Sequence, residues 1–387
     1  VSQGPPIDDV TVVGAGPAGA LAALVLARQG YRVRLLDRAR FPRPKLCGDT
    51  LNPGALASLG AHLDLARLRA EGLPLSGMRL SGPGGVTVVG RYPAGIAGLS
   101  VTRWTLDGWL LDHARRAGVT VEDGVLVRGP QLGHGDVRGV RIATPAGDRV
   151  HPSRLVLGCD GRASVLARAC GGAHTPTSPR RWAFGAYVHD VDDVHPGFGE
   201  MHVRDGSYLG IAPVSGGLAN VCLVLPRPRA AGAVSAPWQA IREAVAADGL
   251  LRDRFTRARL ASPPVVLGPM AVDVARAGAP GLLLAGDASG FVDPMTGDGL
   301  RLAFDGALLA AAVAAEVLDG RLRAEAAPAA LEARRHAAFA VKWRFNRGLR
   351  ALVDAPSMVR AATWAARAWP AAFEAMVRYA GDARRAA

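Results

Sequence analysis

Lysine is almost absent from this chain of 387 residues: of 46 Lys and Arg side chains, only Lys45 and Lys342 are lysine. An Ala-, Arg- and Gly-rich, Lys-poor composition reads as codon bias, so a lysine that survives it invites a local explanation. Cysteine is scarce too. Cys47, Cys159, Cys170 and Cys222 show no C-x-x-C pair and no metal-ligand spacing, which argues against a zinc site or a disulfide framework. No uninterrupted apolar run reaches the roughly 18 residues of a membrane-spanning helix. The nearest candidate, GALLAAAVAAEVL at 306–318, is short and Ala-rich. The opening VSQGPPIDD lacks the basic-then-apolar layout of a signal peptide, and the expectation is a soluble, cytoplasmic protein. Internal repeats and long low-complexity segments are lacking as well.

What is present is globular. With 49% hydrophobic and 20% charged residues the chain can bury a sizeable core, as two domains or one elaborated one. A net charge of +13 raises the question of nucleic acid. The arginines are scattered, however, and no zinc motif or aromatic–basic interleaving accompanies them. No nucleic-acid partner is expected; a basic exterior could still draw in acidic substrates or a membrane surface.

The segment DDVTVVGAGPAGALAALVLARQGYRVRLLDR (8–38) reads as strand, glycine turn, helix, strand. That is a βαβ unit, implying a parallel sheet with a right-handed crossover. Gly14, Gly16 and Gly19 form G-x-G-x-x-G directly after the strand. Such glycines allow a tight turn, close approach of backbone to a pyrophosphate, and close helix–strand packing, while the helix N-terminus faces the phosphates. Asp37 ends the next strand, placed to accept from a ribose hydroxyl, with Arg38 beside it. Together these predict a dinucleotide site.

Further along, RWTLDGWLLDHARRAG (103–118) predicts a helix and VTVEDGVLV (119–127) a strand and turn. PSRLVLGCDGRASVLARACG (152–171) reads as a strand running into a turn and helix. From about 180 to 270 short β-rich runs broken by Gly and Pro suggest an antiparallel sheet facing the substrate. LLLAGDASGFVDPMTGDGL (282–300) then returns to strand, glycine-rich loop and helix. Here Gly286 and Asp287 end a strand, Asp287 could bond a ribityl chain, and Gly297, Gly299 and Leu300 lead into a helix whose N-terminus would favour negative charge on a flavin ring. The dinucleotide is therefore expected to be FAD.

The chain resembles the FAD-dependent oxidoreductases that include geranylgeranyl reductases and their menaquinone-reductase relatives, within the wider aromatic-hydroxylase superfamily. GAGPAG (14–19), FPRPKLCGD (41–49), Arg103, CDGRASVLAR (159–168) and GDASGFVDPMTGDGL (286–300) carry the likeness over roughly 1–320. The resemblance implies that Ala18, Asp37, Arg103, Asp287, Gly299 and Leu300 contact FAD. Val127, ending the strand after the second helix, would meet the adenine, and Asp160 and Gly161 would brace the cofactor. KLCGD would run along the flavin, with Gly48 letting backbone pass close and Cys47 and Asp49 near the reacting face. Lys45 would set a compact ammonium near a phosphate or the ring, where a guanidinium would not fit. Lys45 and Asp49 are the catalytic candidates because they flank the expected ring. Cys47 reads either as a redox thiol or as a small packing group.

The expected architecture is α/β. A discontinuous Rossmann-like FAD domain with a parallel sheet (1–75, 100–175, 270–325) is joined by an antiparallel β-sheet substrate domain (76–99, 176–269) and C-terminal helices (326–387). There is no second G-x-G-x-x-G for a resident nicotinamide, so NAD(P)H would act as a transient donor. The family's isoprenoid reductases carry a Tyr-x-Trp-x-Phe-Pro strip. In this chain YLGIAP (208–213) keeps Tyr208 and Pro213 but loses the bulky residues between them. The expected activity is oxidative tailoring of a hydrophobic, secondary-metabolite-like small molecule by a monooxygenase-type reaction. The alternatives are C=C reduction, as in geranylgeranyl or menaquinone reductases, and a basic binding protein without catalysis. The Trp- and Arg-bearing C-terminal segment reads as a helical cap or as a basic surface resting on a bilayer.

Overall fold

A computed structural model describes residues 7–176, 180–291, 295 and 297–383. The first six residues, and Val292, Asp293, Pro294 and Thr296 of the second glycine-bearing cluster, lie outside the described residues. At the centre of the first sheet is Asp8–Val13, flanked in parallel by Gly147–Gly158 and Val33–Asp37. The sheet extends in parallel to Leu282–Leu284 on one side and Thr120–Asp123 on the other. Its central strands are near-continuous apolar runs because both faces are covered. One cover is the helix Pro17–Arg28, whose Leu21, Leu24 and Leu26 are fully buried, packed beside the long helix Gly299–Leu318. The helix Arg103–Arg116 adds Leu106, Leu110 and Leu111 to the same core.

Val127 corrects one expectation. The strand after the second helix closes at Asp123, Gly124 turns at φ +75°, and Val127 opens a new strand, Val127–Gly133. That strand pairs with Asp136–Thr144, which pairs in turn with the long strand Gly147–Gly158.

The second sheet runs Arg259–Leu260, Arg181–His189, Leu218–Pro226, Ser207–Val214, Phe198–Arg204, Gly77–Ser81, Thr87–Arg91. It is antiparallel except where Phe198–Arg204 lies parallel to Gly77–Ser81. The period of two separates its faces. Phe184, Leu209, Ile211 and Val221 pack on the helices Arg227–Ala233 and Pro237–Ala246, two helices inside a region expected to be β-rich throughout. The opposite face carries Ala183, Tyr208 and Val224, packed against Val353 and Val359 of the C-terminal helices Ala327–Asp354 and Pro356–Ala368. A last helix, Pro370–Ala380, lies across Thr87–Arg91. Among the described residues no helix is long and apolar enough to cross a membrane.

One buried charge cluster braces this sheet. Glu200 accepts from Arg254 Nη1 and Nη2 at 2.8 and 3.0 Å, and His202 Nε2 lies 3.0 Å away. Burial alone would raise the Glu200 carboxyl, but His202 and Arg254 override it and hold the group at about 2, below its ordinary 4.5. A depressed carboxylate contributes stability above its unfolded pKa and loses it as pH falls through the folded one. Glu200→Gln is therefore expected to cost about 3 kcal/mol at pH 7. The gap to wild type should narrow as pH drops from 4.5 towards 2, checked by urea unfolding across that range.

Candidate functional site

A cavity of about 970 Å³ begins at the first glycine turn, passes the 43–48 strip, and ends in a lobe between the second sheet and the C-terminal helices. Its first wall is a turn pressed against the strand Gly147–Gly158 and the Cys159 that follows it. Gly14 sits at φ +100°, and a Cβ there would lie 2.3 Å from the Cys159 carbonyl oxygen. Asp37 locks this turn: its Oδ2 accepts from Ala15 N and its Oδ1 from Ala39 N, both at 2.8 Å. Asp37 and Arg38 line the cavity alongside Gly14, Gly16 and Ala18.

Arg103 opens its helix behind the Thr102 cap, which accepts from Thr105 N. Its guanidinium is buried and forked onto Asp107 at 2.8 and 2.9 Å. This is the bidentate geometry that holds an ion pair together away from water. Arg43 stands 3.4 Å from the same Asp107. Its Nη1 is buried with no hydrogen-bond partner among the described residues. Asp160 Oδ1 is likewise buried and unpartnered, while its Oδ2 accepts from Val165 N at 2.8 Å.

Lys45 lines the cavity. Burial pushes its ammonium down; Asp287 opposes that, and Arg103, Arg43 and Arg162 reinforce it. Burial raises Asp287 in turn, against the pull of Lys45, Arg103 and Arg162. Four cations, Arg43, Lys45, Arg103 and Arg162, thus line the cavity.

Every residue expected at the site lines the cavity except two. Gly19 packs helix against turn instead. Asp49 has φ +52°, which turns its carboxylate to the second sheet, where it accepts from Tyr187 Oη and, at 2.7 Å, from Asn220 Nδ2. Burial pushes that carboxyl up to about 6, with Tyr187 and Asn220 opposing. Asn220 Nδ2 also donates to the Cys47 carbonyl at 2.9 Å, fixing the path of the strip. Gly48, Cys47, Val127, Asp160, Gly161, Gly286, Asp287, Gly297, Gly299 and Leu300 all face the cavity. Arg43, Arg162 and Asn220 were missed. Arg43 and Arg162 each had one available signal, a place inside the quoted strips FPRPKLCGD and CDGRASVLAR.

The cavity residues fit FAD. Gly14 seats the turn tightly against the Cys159 backbone, Arg43, whose Nη1 has no hydrogen-bond partner among the described residues, and three more cations suit a diphosphate, and the helix starting at Gly299 turns its unbonded N–H groups to the far end. A parallel sheet with this turn, joined to a second sheet across one shared cavity, defines a flavin-dependent oxidoreductase. The chain belongs to the FAD binding domain family, which it matches over residues 8–345, and its cofactor is FAD. It is 31% identical over 362 residues to a menaquinone reductase of Mycobacterium tuberculosis, spanning 87% of this chain and 82% of that protein. It is 29% identical over 320 residues to a digeranylgeranylglycerophospholipid reductase of Methanopyrus kandleri, spanning 80% and 81%. The solved structure of the myxobacterial chondrochloren halogenase, 22% identical, shares the fold with a TM-score of 0.80 over 88% of this chain and 82% of its own. The resemblance read from the motifs is borne out.

Proposed function

We propose that this oxidoreductase performs oxidative tailoring of an apolar, ring-bearing small molecule, with NAD(P)H as a transient electron donor. One observation carries the reading. Gly210 and Ala212 stand where the reductase strip would place Trp and Phe, and both face the cavity. Their small size opens the lobe above the second sheet to something bulkier than an isoprenoid chain. The lining there is apolar and adaptable: five of the six methionines, Met78, Met201, Met270, Met295 and Met376, face the cavity. Such side chains mould to irregular apolar shapes.

Bound FAD supplies the electron chemistry. Arg43, Lys45, Arg103 and Arg162 balance the diphosphate and ring-end charge, and Asp37 and Asp160 hold the turns that position it. The N-terminus of Gly299–Leu318 favours negative charge at the ring end, while the apolar lobe keeps water from the reacting face. The names of the 31% and 29% identical relatives favour the second reading, C=C reduction. Mass spectrometry of products formed from apolar aromatic and isoprenoid probes under labelled oxygen separates the two. A product carrying one labelled oxygen atom is expected. A product that gains two hydrogens and forms equally well without oxygen would overturn the proposal.

The C-terminal helices also suit a lipid surface. Trp364 and Trp369 are 63% and 72% exposed, Trp369 lines the cavity mouth, and Pro356–Ala368 carries Arg360 and Arg367 but no acid. Binding to phosphatidylglycerol vesicles that weakens with salt is expected in co-sedimentation; no binding at low salt refutes the contact.

A further inference from the structure

The second lysine of the chain is the more deeply placed one. Lys342, on the helix Ala327–Asp354, is 5% exposed. Its ammonium donates to the carbonyls of Tyr379 and Ala380 at 2.7 and 2.9 Å and to Asp382 Oδ2 at 2.8 Å. It also lies 3.4 Å from Asp298 Oδ1 and 4.8 Å from the centroid of the Tyr379 ring. Tyr379 and Ala380 form the last turn of the helix Pro370–Ala380, whose final carbonyls have no partners within the helix and attract a cation. A compact ammonium with three divergent donors serves these targets together, which a planar guanidinium does not.

The two ends it joins are different parts of the site. One is the roof of the apolar lobe: Phe373, Met376, Val377 and Ala380 line the cavity from above. This roof is closely seated. A Cβ on Gly90 would come within 2.4 Å of Val377, and Gly54 N donates to the Gly381 carbonyl at 3.1 Å. The other end is Asp298, between the cavity-lining Gly297 and Gly299 and immediately before the helix assigned to the ring end of FAD. Asp298 accepts from Asn52 Nδ2 at 3.0 Å, and its Oδ2 is buried without a hydrogen-bond partner among the described residues. Arg301 and, through it, Asp305 complete the charges around Asp382.

We infer that Lys342 is a positioning residue that couples the roof of the substrate lobe to the cofactor's ring end, holding Tyr379–Asp382 in place with the same ammonium that compensates Asp298. Two electrostatic effects support the coupling. Burial pushes Asp298 up to about 6, and Lys342 is the leading group that opposes it. Asp298 is also felt at the cavity wall, where Tyr92 is pushed up to about 12 by burial and then by Asp298. The inference rests on the cavity holding FAD and is independent of which reaction follows.

The test uses FAD-loaded protein. Lys342→Met should let trypsin cut after Arg378 of the roof at least tenfold faster than in wild type, read by intact mass. It should also shift the flavin reduction potential, measured by dye equilibration. Asp298→Asn combined with Lys342→Met should restore the potential of Asp298→Asn alone while leaving the roof unprotected, because the two effects travel through different partners. If Lys342→Met does not fold, Lys342→Arg, which keeps the charge but not the three-way geometry, is read in the same way. An unchanged potential or undiminished roof protection overturns the coupling, and additive shifts in potential place Asp298 outside it. A preparation that cannot be loaded with FAD at all would instead defeat the reading of the cavity.

Discussion

Gly19→Ala is expected to give a protein that loses its FAD on gel filtration. The added methyl carbon would sit 1.9 Å from the Gly14 carbonyl oxygen, 3.1 Å from the Gly14 carbonyl carbon and 3.2 Å from Cys159 Cβ. The first two are backbone atoms, so no rotamer change relieves the overlap. The helix Pro17–Arg28 must move off the turn, and the turn is the surface that we propose meets the diphosphate. Overpacking of this kind costs about 1–3 kcal/mol where side chains can yield, and more is expected where backbone must. Because the helix N-terminus and the turn move relative to one another, the penalty falls on cofactor binding as well as on folding. A loss in FAD affinity on the order of 100-fold corresponds to roughly 3 kcal/mol. The ratio of flavin to protein absorbance after gel filtration reads it directly. Gly108→Ala is the control: this helical glycine has nothing within 4 Å of the added carbon, and the protein should stay yellow. If Gly19→Ala retains FAD as Gly108→Ala does, the turn does not hold the diphosphate as described.

The parts of the site that could be read in advance are those whose geometry is set locally. Gly14, Gly16 and Gly19 follow a strand and open a helix within a dozen residues, so spacing alone constrains them. The second cluster could be read because Gly286 and Asp287 follow the apolar strand Leu282–Leu284 in a short turn and Gly299 opens an apolar helix. Asp49 shows where local reading stops. It lies one residue from the cavity-lining Gly48, yet a backbone φ of +52° turns its carboxylate towards Tyr187 and Asn220, residues far away in sequence. Arg43 and Arg162 stand inside quoted motifs, but a motif does not say which of its side chains faces the cavity, because the folding of distant segments decides that. The helix Pro237–Ala246 was hidden by its neighbours. Ile241 and Val245 mark its buried face, too short a stripe to stand out in a region of strands. The C-terminal helices were legible as helices, but their role as a roof depends on close seats such as Gly90. Those seats lie on a hairpin more than two hundred residues earlier.

Gly210→Trp is expected to abolish most turnover while leaving FAD in place, which separates the lobe from the cofactor site in one variant. Gly210 lies in the strand Ser207–Val214 on the cavity side, with the Glu200 and Cys222 carbonyl oxygens both at ordinary contact distance from a built Cβ, 3.8 and 3.9 Å. The backbone therefore accepts a side chain there, and an aromatic residue suits a strand better than glycine does. The indole would project into the lobe among Met78, Met201 and Tyr208, refilling the space that the reductase strip would occupy. A ring-bearing substrate then meets an overpacked pocket. The steric cost of about 1–3 kcal/mol corresponds to a fall of roughly 5- to 150-fold in kcat/KM. Because none of these groups touches the glycine turns, the flavin absorbance per protein should match wild type. A slender isoprenoid probe should be excluded less than an aromatic one, so the ratio of the two kcat/KM values should change, and not merely their size. Equal losses for both probes, or unaltered turnover of the aromatic one, would show that the space above Gly210 is not where the substrate sits.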